Sequence, residues 1–150
     1  MDTIKIYLSG GMGAFGKEHF DESNEWRIKC TKLFRILYNT NDSYTYPKTF
    51  NPNDYFNFTQ EDDPKYESQR EVMEFDLYNL KNSNLLIVNF NDPKSLGTMS
   101  EMAIAYDRNI PIYGINLNNI ELHPWQKEMC NRVFDSIDKA VNYIWEMYFR

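Results

Sequence analysis

The chain has 150 residues, with 16 basic and 22 acidic side chains and a net charge of −6. This length suits one domain, 1–150, whose core is large enough to need neither disulfides nor metal. The charge argues against a nucleic-acid polymer as partner, because such an interface needs a basic face.

The first element is a short strand, Ile4-Lys5-Ile6-Tyr7-Leu8. No signal peptide is expected before it. Ser9 to Gly16 holds four glycines and reads as a loop. A helix is predicted from about Ser23 to Tyr38, where Trp26, Cys30, Leu33, Phe34 and Leu37 recur at helical spacing. Tyr44 to Phe50 reads as a strand interrupted by Pro47. Asn51 to Pro64 is a polar, aromatic excursion, and loops of that length are usually functional or mobile.

Glu67 to Asn82 reads as a helix with Met73, Leu77 and Leu80 on its buried face. The apolar run Leu85 to Phe90 is a strand, Thr98 to Arg108 a helix, and Ile110 to Ile115 a strand. His123 to Met129 forms a short helical piece, and Arg132 to Phe134 a last strand. Ser136 caps a closing helix to Tyr148, built on Ile137, Ala140, Val141, Ile144 and Met147. Strands alternating with helices predict an α/β fold: one flavodoxin-like domain, a five-stranded parallel sheet with helices on both faces.

Two cysteines, Cys30 and Cys130, define no disulfide framework, and no apolar run approaches the ~20 residues of a membrane helix. A cytoplasmic protein with no membrane partner is expected. His19 and His123 sit in no metal-ligand spacing, so neither metal nor cofactor is expected. The acidic run Glu61-Asp62-Asp63 reads as a solvated loop.

The stretch Ser95-Leu96-Gly97-Thr98-Met99-Ser100-Glu101 is the most informative part of the chain and the candidate for its chemistry. A glycine turn between strand and helix delivers a glutamate to the sheet edge where such folds bind ligands. The helix N-terminus is expected to keep that acid ionised. Thr98-x-x-Glu101 is also a capping-box pattern, which by itself needs no catalysis. Asp76 shares the stripe of Met73 and Leu80, where a carboxylate must find a partner or line a cavity. Tyr7, mid-strand, is either a core tyrosine or a hydroxyl that orients the glutamate. Ser9-Gly10-Gly11-Met12-Gly13, directly after a strand, could bring backbone N–H groups to a phosphate or sugar.

These residues together resemble the nucleoside 2-deoxyribosyltransferase family and the related 2′-deoxynucleoside 5′-monophosphate N-glycosidases. The likeness lies in Lys5 to Gly11, Asp76-Leu77-Tyr78-Asn79-Leu80, Leu85 to Phe90 and Ser95 to Tyr106, with a similar spacing from Asp76 to Glu101. It implies that Glu101 is the nucleophile at C1′ of the sugar, that Asp76 positions and protonates the leaving base, and that Tyr7 holds the glutamate. It further implies that Ser9, Gly10, Gly11, Ser95 and Gly97 bind substrate. Asn131 falls where the family reaches the sugar's 5′ end from a neighbouring subunit, which implies a homo-oligomer with a shared active site.

A carboxylate opposite an oxocarbenium-like transition state, with a second acid for the leaving group, suits glycosidic chemistry. Phe15 and Trp26 are candidates to stack on the base. Ser95, six residues before Glu101, resembles the monophosphate hydrolases, whereas the first loop has Gly11 and Gly13 near the places where those enzymes carry Ser and Arg. Asn84 replaces a common aspartate. The expectation is transfer of a deoxyribosyl group between bases. The alternatives are hydrolysis of deoxynucleoside monophosphates, a cytokinin-activating type of phosphoribohydrolase (Gly97-Thr98-Met99-Ser100-Glu101 resembles its motif ending) and a non-catalytic sensor of a nucleotide-derived ligand.

Overall fold

Alternation decides the first strand. In β1 (Asp2–Ser9), Ile6 and Leu8 point to one face of the sheet, and Tyr7 to the other. The structure, a computed structural model, describes residues 2–11, 17–55 and 69–150, with the side chains of 21–55 and 70–150 in the last two stretches. β2 (Thr45–Phe50), β3 (Leu85–Asn89), β4 (Ile112–Ile115) and β5 (Arg132–Phe134) complete the sheet. The order is β2-β1-β3-β4-β5, with every pairing parallel. This is the flavodoxin-like arrangement, and its strand order reverses between β1 and β3. Pro47 is tolerated because β2 is an edge strand that pairs only with β1.

α1 (Lys17–Thr40) and α5 (Ile137–Tyr148) cover one face. Their core joins Trp26, Cys30 and Phe34 to Val141, Ile144 and Trp145 over Ile6, Leu8 and Ile87. α2 (Gln69–Lys81), α3 (Leu96–Asp107) and α4 (Pro124–Met129) cover the other, where Leu80, Met102 and Leu122 pack on Tyr7, Leu86 and Val88. Tyr7, Leu86, Val88 and Ile112 face this second core because a strand's side chains alternate. Asn84 leads into β3 by a doubled link to β1: its N–H donates to the Lys5 carbonyl at 2.8 Å, and its Oδ1 accepts from Lys5 N at 2.9 Å.

Several local expectations change. α1 begins at Lys17, well before Ser23. Met73 is 53% exposed, so the buried stripe of α2 starts lower, at Leu77 and Leu80. Met147 is 60% exposed and Trp145 takes its place in the buried face of α5, while Ser136 caps that helix through Lys139 N at 3.1 Å. The excursion after β2 opens with a 3-10 turn, Pro52–Asp54. Its continuation, including Glu61-Asp62-Asp63 and the expected helix start at Glu67, lies outside the described residues. No helix among the described residues is long and apolar enough to cross a membrane.

Candidate active site

The carboxyl edge of β1 and the flanks of α2 and α3 converge on one carboxylate. Ser9, the last residue of β1 and fully buried, donates its hydroxyl to Glu101 Oε1 at 3.0 Å. Tyr7 points the same way by alternation. Its hydroxyl is buried and makes no well-formed hydrogen bond, yet it stands close enough to Glu101 to act on it electrostatically. Asp76, half-buried on α2, feels the Glu101 charge as well. Tyr7, Ser9, Asp76 and Glu101 therefore share one site.

The local structure around Glu101 differs from the capping-box expectation. Ser95, not Thr98, caps α3: its Oγ accepts from Thr98 N at 3.3 Å and from the Thr98 hydroxyl at 3.0 Å. Thr98 lies inside the helix and is buried, and Glu101 sits in the second turn. The dipole's help fades beyond the first turn. Burial accordingly dominates and raises the Glu101 carboxyl above its usual range, opposed first by the Tyr7 and Ser9 hydroxyls and then by Arg27. Glu101 as a residue keeps some exposure, and the carboxyl is its densely surrounded end. Burial, then the Glu101 charge, pushes Asp76 up to about 7, against the pull of Arg27.

The loops after β1 and β3 are clasped together. Asn91 Oδ1 accepts from Gly11 N at 3.0 Å, and its Nδ2 donates to the Gly11 carbonyl at 3.3 Å. A Cβ on Gly11 would lie 2.9 Å from Asp92 Cβ, so glycine is required for this close approach. The Gly11 N–H is thereby committed to Asn91 rather than free for a phosphate. Gly10 packs equally close to Asn89 and Asn91, and Gly97 is open to solvent. Met12 to Gly16, Phe15 among them, lie outside the described residues.

Asn131 is not part of this group within one chain. It precedes β5 at the opposite, amino edge of the sheet, where its N–H donates to the Ile112 carbonyl at 2.7 Å and its Oδ1 accepts from Ile112 N at 3.1 Å. Trp26 also departs from expectation: it packs in the α1/α5 core, on the other face of the sheet from Tyr7. A cavity of about 630 Å³ opens on that other side, lined by Gly11, Trp26, Asn89 and Asp92 among others, and its lining includes none of Tyr7, Asp76 and Glu101. The candidate site is placed instead at the carboxylates of Glu101 and Asp76, which meet the Ser9 and Tyr7 hydroxyls on the opposite face.

Sequence reading missed two features. The first is an aromatic wall beside Asp76: Phe50 stacks on Tyr7 (5.2 Å, 24°) and on Tyr55 (5.2 Å, 10°), with Phe75 tilted against Phe50 and Tyr55. Its signal was the aromatic richness around the β2 exit. The second is Arg27, fully buried and bonded to backbone carbonyls. Its signal was position, three residues before Cys30 and seven before Phe34 on the apolar stripe of α1. Among the described residues no cluster of three or more histidine, cysteine or acidic side chains is placed to hold a metal.

No family model matches the chain, and neither does any curated protein. Solved structures do. A conserved protein from Enterococcus faecalis V583 is similar with a TM-score of 0.72 at 15% identity, over 96% of this chain and 98% of that one. A 2-deoxyribosyltransferase from Bacillus psychrosaccharolyticus has a TM-score of 0.68 at 17% identity, over 93% and 91%. The fold is that of the nucleoside deoxyribosyltransferases. A CMP N-glycosidase from Clostridium botulinum shares it at a TM-score of 0.59 and 11% identity, over 93% and 96%. At these identities the likeness is one of fold, and the chemistry must be argued from the side chains.

Proposed function

We propose that this protein cleaves the N-glycosidic bond of a 2′-deoxynucleoside and passes the deoxyribosyl group to another base. One observation carries the reading: a buried glutamate held by a serine hydroxyl stands beside an aspartate whose carboxyl is raised to about 7. Two interacting carboxyl groups, one of them holding its proton up to about 7, are the kind of pair that can divide the work of nucleophile and acid. The fold shared with a deoxyribosyltransferase and an N-glycosidase supports the same chemistry.

In this mechanism Ser9 holds Glu101 Oε1, and Oε2 attacks C1′. The C1′–N bond breaks as the Asp76 proton moves to the departing base. A glycosyl ester on Glu101 results. An incoming base then attacks C1′, returns its proton to Asp76 and frees the glutamate. The Phe50–Tyr55–Phe75 wall offers the flat apolar surface on which a base stacks. If water replaces the base, the outcome is hydrolysis.

A second reading, hydrolysis of the 5′-monophosphate, draws on Ser95. Its Oγ accepts both its bonds from Thr98, leaving its own O–H free to donate at the N-terminus of α3, a place that favours anions. In both readings Asn131 is assigned to a neighbouring copy's site, and a homo-oligomer is required.

Incubation with deoxynucleosides and their monophosphates, with and without a free acceptor base, separates the readings by chromatography. Base exchange supports transfer, and release without exchange supports hydrolysis. Binding without either product would leave a sensor and overturn the catalytic reading.

A further inference from the structure

The Arg27 guanidinium is fully buried at the carboxyl edge of β1. Its Nε donates to the Leu8 carbonyl at 3.1 Å, Nη2 to the Gly10 carbonyl at 3.0 Å and Nη1 to the Ser23 carbonyl at 2.8 Å. Leu8 and Gly10 flank Ser9, the residue whose hydroxyl holds Glu101. The cation also stacks on the neighbouring Trp26 ring, 4.9 Å from its centroid.

Burying an arginine is costly, and its bonds here go to backbone carbonyls rather than to a carboxylate. A core position would be filled more stably by leucine or methionine. We propose that Arg27 is the positioning residue for Glu101: it fixes the backbone on both sides of Ser9 and stands as a buried positive charge behind the Glu101–Asp76 pair. This rests on the catalytic reading above for its consequence in turnover, but not for its structural content.

Two further observations agree. The titratable groups that face this charge are Tyr7 of β1, Cys30 of its own helix, Asp76 of α2 and Glu101 of α3. Arg27 pulls the pKa values of Tyr7, Asp76 and Glu101 downward, against the burial that raises them. Burial lowers Arg27 itself only to about 10, so it stays charged at neutral pH. The planar fork has the geometry to reach three carbonyls at once, which an ammonium lacks.

The test replaces Arg27 with Met, which keeps bulk and removes charge, and with Lys, which keeps charge and removes the fork. Carboxylate titration is followed by carbon NMR in the folded proteins, with Glu101→Gln used to assign the Glu101 signal. In Arg27→Met the Glu101 midpoint should rise by about one pH unit, a tenfold change. In Arg27→Lys it should stay near wild type. Turnover should fall at least 100-fold in the Met protein with KM changed less than threefold, and recover only partly in the Lys protein.

A Glu101 midpoint that does not move in Arg27→Met would overturn the proposal. So would wild-type turnover in that protein. If Arg27→Met does not fold, Arg27→Gln takes its place, since the carboxamide can still donate to one of the carbonyls. An inactive wild-type protein would sink the catalytic reading alone, because the titration still decides whether Arg27 acts on Glu101.

Discussion

Ser9 and Glu101, 92 residues apart in the chain, meet at 3.0 Å with the serine hydroxyl donating. The bond joins the end of β1 to the second turn of α3 and fixes one oxygen of a buried carboxylate. Glu101→Gln keeps the size and the link to Ser9 but not the nucleophile. Turnover should fall at least ~1,000-fold with the thermal midpoint within a few degrees of wild type. Release of base, followed by chromatography, checks this, and a variant within tenfold of wild type would reject the nucleophile assignment.

In the proposed reaction Asp76 is expected to set the alkaline side of the pH profile. Glu101 must be ionised to attack, so the rate rises as it loses its proton, above the usual carboxylate range. Asp76 must carry a proton, so the rate falls as pH passes about 7. The two limbs belong to the interacting pair. Asp76→Asn should lower the rate by roughly 100- to 10,000-fold and abolish the fall near 7. An alkaline limb that persists in the variant would assign it to another group.

The same substitution should stabilise the fold. Asp76 holds its proton up to about 7 in the native state, against an ordinary value of 3.8. Between those values the native protein binds a proton that the unfolded chain has released, so stability drops as pH rises through that window. Asp76→Asn removes the penalty. The gain should be near zero at pH 4 and on the order of 1–3 kcal/mol at pH 8, discounted for partial exposure. Chemical denaturation at the two pH values measures it.

Tyr7 carries a buried hydroxyl that acts on Glu101 without a well-formed hydrogen bond, so it recovers only part of the roughly 1–3 kcal/mol cost of burying it. Tyr7→Phe should therefore leave stability unchanged or raise it by ~1 kcal/mol, while turnover falls. A variant that is destabilised with activity intact would make Tyr7 a core residue and nothing more.

Tyr55 closes the aromatic wall and is 41% exposed. Tyr55→Ala should raise KM by about 5- to 20-fold with little change in kcat, the loss of one stacking surface worth about 1–2 kcal/mol. Equal KM values for variant and wild type would place the base elsewhere.

Asn131 separates two roles. Its carboxamide accepts from Ile112 N at the amino edge of the sheet, so Asn131→Ala should cost about 1 kcal/mol of stability. A rise in KM beyond that, in an oligomer, supports its service to a neighbouring copy's site. Unchanged KM confines it to the β4–β5 junction.

Period and punctuation made the layers readable in advance. Alternating strands and helices, each apolar on a definable stripe, leave a parallel sheet covered on both faces as the economical way to bury them, and the protein has that sheet. The grouping of Tyr7, Asp76 and Glu101 was legible through the family resemblance, while Ser9 entered only as a residue near substrate. Hydrogen-bond partners and charge are nonlocal, and that is where reading along the chain stopped. Thr98-x-x-Glu101 fitted a cap, but Ser95 reached the Thr98 amide first. Trp26 looked free to meet a base, yet α1 turns it into the core behind the sheet. Beyond its position on the stripe of α1, Arg27 gave no signal of its own along the chain, and only the docking of α1 brings it onto the end of β1. Local pattern decides which residues form helices and strands. Which carboxylate is desolvated, and which cation lies behind it, depends on distances set only when β1, α1, α2 and α3 close on one another.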